Sequence, residues 1–243
     1  MQQRLPSLLQ PPLLFAHRGA RAHERENTIA AFRLAVRLGA TGLESDVWIT
    51  KDGIAVLDHD GQVGARFRRR DISTLERDQL PPHIPTLRDL LDLADHHGLA
   101  LSLDVKHPDA WPVVNDELLT RPNRLGTTYL CCEDFSVLED IAVRHSELRI
   151  VDSSRLSTMK DGPERRLARL AELGVVGLNM HHTDWNGGLV ALAHRFDRLA
   201  FAWDAQYEHS LSTLLRMGID GVYSDWVDRM VDTARHEAVG RQA

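Results

Sequence analysis

The chain has 243 residues, of which 43% are hydrophobic, enough to bury a full core, and its length suits one α/β barrel at least as well as two small domains. Its formal charge of -6 lacks the basic surplus that draws nucleic acid or an anionic membrane surface, so a small polar ligand fits it better. No run approaches the roughly 20 apolar residues of a spanning helix. Met1 to Pro12 carries neither a sustained apolar segment nor a small-residue cleavage site, which makes the cytoplasm the expected location and stable membrane association unexpected.

Short apolar runs alternate with helix-period segments throughout, without a linker or low-complexity stretch, so one domain is expected over residues 1–243. The predicted strands are Leu13 to Ala16, Gly42 to Val47, Ala100 to Val105, Thr127 to Cys131, Arg149 to Val151, Val175 to Leu178, Leu199 to Trp203 and Gly221 to Ser224. Between them run helices with core-facing stripes, such as Ile29, Phe32, Val36; Leu87, Leu90, Leu91, Ala94; and Leu211, Leu214, Leu215. Gly39, Gly98, Gly174 and Gly218 each stand just before a strand, where a left-handed residue stops a helix. The repeated order of helix, glycine and strand predicts a (β/α)8 TIM barrel.

One connection departs from that order. After the second strand, Thr50-Lys51-Asp52-Gly53 reads as a turn, and Ile54 to Leu57 can only pair back antiparallel. The resulting rim hairpin returns Asp58 and His59 towards Asp46. Cys131 and Cys132 sit side by side in an apolar run and read as reduced strand residues without a disulfide. Glu26, Asn27 and Thr28 read as a helix opening, with Asn27 or Thr28 as N-cap, and Arg66 to Arg70 as a solvated loop. His96, His97, His181, His182 and His194 show no metal-ligand spacing, and surface or helix-end positions explain most of them; His181 and His182 follow a predicted strand, from which either could reach the pocket.

In a parallel barrel, chemistry collects at the carboxyl ends of the strands. The first predicted strand ends in His17-Arg18-Gly19, the second carries Glu44 and Asp46, the hairpin returns His59-Asp60, and the third carries Asp104 and Lys106. Alternation points Glu44 and Asp46 to one side, and likewise Asp104 and Lys106. Three converging carboxylates cannot all stay charged in a poorly hydrated barrel without a cation, and oxygen donors suit a hard divalent ion, magnesium or calcium. Zinc held by His17 or His59 is the alternative. Two histidines beside such an ion, with Arg18 and Lys106 supplying positive charge, fit acid–base chemistry on a phosphate.

Ala16-His17-Arg18-Gly19-Ala20, Glu26-Asn27-Thr28, Glu44-Ser45-Asp46-Val47, Thr50-Lys51-Asp52-Gly53, His59-Asp60, Ile84-Pro85-Thr86-Leu87, Asp104-Val105-Lys106 and Gly218-Ile219-Asp220-Gly221-Val222-Tyr223-Ser224-Asp225 together resemble the glycerophosphodiester phosphodiesterase family over nearly the whole chain. The resemblance implies a TIM barrel of the phospholipase C-like phosphodiesterase type that binds one divalent cation, Mg2+ or Ca2+. It implies cleavage of a small-molecule phosphodiester to glycerol phosphate and an alcohol, by water or through a cyclic phosphate. His17 and His59 would be the acid/base pair, His17 favoured as base, and Glu44, Asp46 and Asp104 the metal ligands, while Arg18 and Lys106 would hold the phosphate. Trp203 would either line the pocket as a substrate-binding residue or plug the barrel.

The chain departs from the family pattern in two places. Asp104 stands where the family more often has glutamate, and Trp203-Asp204-Ala205-Gln206 replaces the usual Trp-Thr and short polar turn. Two other readings keep the barrel: a phospholipase D-like enzyme on lysolipids or sphingolipids releasing a cyclic phosphate, and a phosphate-ester-binding barrel without turnover.

Overall fold

Runs of four to eight mostly apolar residues, too short for buried helices, form the barrel strands of the protein, whose computed structural model describes residues 5–65 and 67–239. In chain order the strands are β1 (Leu13–Ala16), β2 (Gly42–Ile49), β3 (Ala55–Leu57), β4 (Gln62–Val63), β5 (Arg70–Asp71), β6 (Ala100–Val105), β7 (Thr128–Cys132), β8 (Arg149–Ser154), β9 (Gly177–His181), β10 (Leu199–Trp203) and β11 (Gly221–Ser224). The helices are α1 (Ile29–Leu38), α2 (Leu87–His97), α3 (Ala110–Leu119), α4 (Pro122–Leu125), α5 (Phe135–Arg144), α6 (Gly162–Glu172), α7 (Gly187–Arg195), α8 (Glu208–Arg216) and α9 (Val227–Val239). Among the described residues no helix is long and apolar enough to cross a membrane.

Eight strands, β1, β2 and β6 to β11, pair parallel in sequence order, and β1 bonds to both β2 and β11, which closes the barrel. These are the eight expected strands, with ends moved by one to three residues at β2, β7, β8 and β9. The hairpin also forms: Val47, Trp48 and Ile49 of β2 face Leu57, Val56 and Ala55 of β3 in antiparallel register, and the Asp58 amide donates to the Asp46 carbonyl.

Thr28 caps α1 by accepting from the Ala31 amide, and Thr86 shares a reciprocal capping box with Asp89 on α2. Both helices stop at a left-handed glycine, Gly39 at φ 94° and Gly98 at φ 64°. Outward-facing Leu14, Leu43, Leu101, Leu130 and Leu178 pack against the helix stripes, which bury Phe32, Leu90, Leu91 and Leu214. Inside the barrel a separate cluster of Phe15, Tyr129, Val151, Phe201 and Tyr223 fills the lower half, Phe15 stacking on Tyr223 at 4.7 Å between ring centroids. That plug forms the floor beneath the polar residues.

The stretch from His59 to Ile84, short enough to suggest little room for an insertion, nonetheless builds its own support. Val56, Ile72, Leu75, Leu80 and Ile84 form a third buried cluster that anchors the hairpin. Its strands β4 and β5 have two residues each, too few for any periodicity to show in the sequence. Arg66 lies outside the described residues; Arg68 and Arg69 are exposed in a loop, whereas Arg70, also exposed, opens strand β5.

Candidate active site

A cavity of about 650 Å³ opens above the aromatic plug at the carboxyl ends of the strands. His17, Arg18, Glu44, Asp46, His59, Asp104, Lys106 and Trp203, the eight residues singled out from sequence, all line it. Trp203 borders the cavity and, half-buried, also packs against the aromatic plug. The register explains the convergence: Glu44 lies beside Ser102 and Asp46 beside Asp104 on neighbouring strands, all on the inward face.

Immediately after β1 the chain turns sharply, Arg18 taking φ 52° and Gly19 φ 79°. A Cβ on Gly19 would lie 2.8 Å from the Ala31 backbone, so only glycine lets this turn press against α1. The turn aims the Arg18 amide at Glu44 Oε2, 2.8 Å away, and sets the Arg18 guanidinium between Glu26 at 3.3 Å and Asp46 at 3.2 Å. Asn27, also left-handed at φ 53°, donates from Nδ2 to Asp46 Oδ2 and accepts from Ser45 Oγ. Thr28 is thus the N-cap, while Asn27 orients an acidic side chain of the site and Glu26 holds Arg18 and, at 3.0 Å, Arg21.

On the facing strands Lys106 Nζ lies 2.5 Å from Asp104, 3.5 Å from Asp46 and 3.4 Å from Glu133. His17 Nδ1 is 2.7 Å from Asp225 Oδ1, and its Nε2 faces Glu44 at 3.8 Å. His59 sits on the exposed rim, its Nδ1 2.8 Å from Asp60.

Burial dominates the electrostatics. It pushes the Glu44 carboxyl up to about 7, against the opposing pull of His17 and with further help from Asp46 and Asp104. Burial likewise raises Asp104, with Lys106 opposing. For His17, burial alone would lower the imidazole, but Glu44 and Asp225 outweigh it and hold the ring above its ordinary value. Lys106 is held above its ordinary value in the same way, by Asp104 and Asp46. A fully buried carboxyl this reluctant to ionise, in an oxygen-donor pocket, is the chemical setting that a hard cation would relieve.

Glu44, Asp46 and Asp104 converge on the cavity, but Lys106 stands between the two aspartates and their donor atoms do not close into a tight set. Among the described residues, the one group of three His, Cys, Asp or Glu side chains whose donor atoms all lie within 4.8 Å is His181, His182 and Asp204. Those histidines showed no ligand spacing in sequence. The missing signal was the pairing of β9 with β10, which sets His181 beside Trp203 and so brings Asp204 into reach. Asp225 was visible in its motif, yet only closure of β1 on β11 reveals that it orients His17. Cys131 and Cys132 are both buried free thiols on β7, with burial pushing each up to about 12, where neither is reactive.

The sequence model of the glycerophosphoryl diester phosphodiesterase family matches residues 17–229, from the first site histidine to α9. The glycerophosphodiester phosphodiesterase of Caldanaerobacter subterraneus subsp. tengcongensis is 24% identical over 254 aligned residues, covering 92% of this chain and 98% of that protein. The crystal structure of the glycerophosphodiester phosphodiesterase from Thermotoga maritima superposes with a TM-score of 0.78 at 20% identity, covering 91% of this chain and 97% of that one. An Oleispira antarctica phosphodiesterase, solved in complex with the product sn-glycerol-3-phosphate, superposes with a TM-score of 0.76 at 20% identity over 92% of this chain and 97% of its own.

Proposed function

Because the chain belongs to the glycerophosphoryl diester phosphodiesterase family, we propose that it hydrolyses glycerophosphodiesters to glycerol phosphate and an alcohol with the help of one divalent cation, and that residues 1–243 act as one catalytic domain. The observation that carries this reading is the convergence of two histidines, two cationic side chains and three carboxylates on one cavity at the carboxyl ends of the strands.

Glu44, Asp46 and Asp104 are the residues that would hold the cation. Their hard oxygens suit Mg2+ or Ca2+, and the reluctance of buried Glu44 to ionise supports a positive partner there. When bound, such an ion supplies Lewis-acid stabilisation of negative charge on the phosphoryl oxygens. Arg18 and Lys106 flank the same space and would bind the phosphate, Arg18 as a planar fork and Lys106 as a point charge. Trp203 would offer an apolar wall to the alcohol or glycerol portion of the substrate.

His17 would act as the base. With Nδ1–H donated to Asp225, Nε2 is left as an acceptor towards the cavity, able to take the proton of an attacking hydroxyl. His59, on the solvent-exposed rim and tied to Asp60, would protonate the leaving oxygen and re-equilibrate with water. The expected place of action is the cytoplasm, on a small soluble diester.

The experiment is product analysis by phosphorus NMR, with glycerophosphocholine, glycerophosphoethanolamine and a lysophospholipid as parallel substrates, each with EDTA or with added Mg2+ or Ca2+. Cation-dependent release of glycerol phosphate from the two glycerophosphodiesters is the expected result. Turnover of the lysophospholipid alone would transfer the site to a phospholipase D-like reaction, and cation binding without any turnover would leave a binding barrel.

A further inference from the structure

The geometry points to a second metal site on the rim of the barrel, formed by His181, His182 and Asp204 and suited to a borderline transition ion of the Zn2+ class. It is separate from the Glu44, Asp46 and Asp104 carboxylates inside the cavity and does not depend on the hydrolytic reading.

The three donors come from the ends of two adjacent strands. His181 is the last residue of β9, His182 follows it, and Asp204 follows Trp203, the last residue of β10, which stands in register with His181. Their donor atoms all lie within 4.8 Å of one another, and His181 Nε2 is already 3.1 Å from Asp204 Oδ2. Tetrahedral zinc with bonds of about 2.0–2.1 Å places its ligand atoms roughly 3.3–3.4 Å apart, so the first pair fits and the third donor needs to close by at most about 1.5 Å. Asp204 is exposed and both histidines are half-buried, so small side-chain rotations suffice.

Each ligand is prepared by its surroundings. Asp204 adopts φ 61°, a left-handed conformation costly for a residue other than glycine, and its Oδ1 accepts from Gln206 Nε2 at 3.1 Å, leaving Oδ2 directed at His181. The His181 ring is held edge-on against Trp203 at 4.6 Å between centroids, and its Nδ1 lies 2.7 Å from the Thr183 hydroxyl. Binding a cation at Nε2 moves the ring proton to Nδ1, where the Thr183 oxygen accepts it; the longer 3.3 Å contact from the Thr183 amide then gives way. His182, its ring 4.5 Å from that of His181, makes no hydrogen bond or ion pair to another described residue. A half-buried imidazole with no hydrogen bond or ion pair among the described residues, beside a second imidazole and a carboxylate, is accounted for as a ligand.

Two neutral imidazoles and one carboxylate form a three-ligand set with an open position, as in catalytic rather than structural zinc sites. Nitrogen donors favour Zn2+, Co2+ or Ni2+ over Mg2+ and Ca2+, so the rim and the interior would sort metals by ligand type. Asp204 lines the mouth of the cavity, and the open position is therefore available to water or to an oxygen of a molecule entering there. Asp204 is also the residue at which the sequence departs from the usual Trp-Thr, so the departure supplies the carboxylate that completes the set.

The test uses the full chain, stripped of metal by a chelator and titrated with Zn2+ by calorimetry in excess Mg2+, which fills the interior carboxylates. One Zn2+ per chain is expected for the wild type. His182→Ala should lose that binding by more than the roughly 10- to 100-fold that removal of an orienting partner such as the Thr183 hydroxyl costs. Co2+ offers an independent readout: the visible bands of a nitrogen-liganded, low-coordinate ion appear in the wild type, vanish in His182→Ala and shift in Asp204→Asn. His182→Gln serves as the second variant if His182→Ala fails to fold. The site is overturned if the wild type takes up no Zn2+ under Mg2+, or if the His182 variants bind it as tightly as the wild type, which would place the zinc elsewhere. Neither readout requires turnover, so failure of the phosphodiesterase reading and failure of this site are distinguishable.

Discussion

The Nδ1 atom of His17 lies 2.7 Å from Oδ1 of Asp225, so a histidine at the end of the first strand is oriented by a carboxylate 208 positions later, just beyond the last. The contact exists because β1 and β11 are neighbours in the closed barrel, with Ala16 in register with Ser224. It makes Asp225 a positioning residue for the histidine that faces Glu44.

Asp225→Asn should therefore lower kcat, within the about 10²- to 10⁴-fold that a positioned acid or base contributes. The pH profile separates this role from a purely structural one. Asp225 helps hold His17 above its ordinary value, so removing its charge lets the imidazole titrate lower. A base works only when deprotonated, and the acidic limb of kcat/KM should move to lower pH in the variant; an unchanged limb would reduce Asp225 to packing.

Cation affinity should rise with pH. Burial holds the Glu44 carboxyl up to about 7, so below that pH the proton and the cation compete for the same oxygens. The affinity for Mg2+ or Ca2+, measured calorimetrically, should fall by up to about tenfold per pH unit below that point, with proton release on cation binding matching the change. Glu44→Gln should weaken binding and flatten the dependence. Equal affinity at pH 6 and pH 8 would remove Glu44 from the ligand set.

Asp152 makes the opposite kind of statement, about stability. It is fully buried on β8 beside Arg166, and burial outweighs that arginine to push the carboxyl up to about 6. A raised acid favours the protonated form in the fold, so stability falls as pH rises from its unfolded value, near 4, through about 6. Between pH 4 and pH 7 the stability of Asp152→Asn should gain on that of the wild type by about 2–3 kcal/mol, read from denaturant unfolding at each pH. A constant difference across that range would show that Arg166 compensates the charge in full.

Inside the barrel, Phe15 touches Tyr129, Phe201 and Tyr223 and is completely buried. Phe15→Ala should destabilise the fold by about 3–5 kcal/mol and lower the melting temperature accordingly. Because this plug is the floor of the cavity, activity should fall in step with stability, and loss of activity without loss of stability would contradict its role as a scaffold.

How much could be read in advance follows from the range of the interactions. Strands and helix stops were legible because they depend on local signals: apolar runs of four to eight residues, and glycines at Gly39, Gly98, Gly174 and Gly218 that all take positive φ. The convergence of the eight candidate residues on one cavity was legible because the motifs fall at strand ends, where the barrel forces inward-facing side chains together. What could not be read depends on register between distant strands. Asp225 meets His17 only through barrel closure, and Asp204 meets His181 only through the β9–β10 pairing. Asn27 read as a helix opening because its hydrogen bond to Asp46 crosses from a loop to another strand. The cluster around Ile72 and Leu75 was hidden for a different reason, since two-residue strands leave no periodic trace.

The central claim is that His17 and a cation held by Glu44 act together on a phosphodiester. It is tested most directly by the rate of glycerol phosphate release from glycerophosphocholine, with Mg2+ or with EDTA, by the wild type, His17→Ala and Glu44→Gln. The expected result is cation-dependent turnover by the wild type, with His17→Ala about 10²- to 10⁴-fold slower at saturating cation and Glu44→Gln requiring far more cation for any rate. Wild-type turnover that survives EDTA and is matched by His17→Ala would contradict the account.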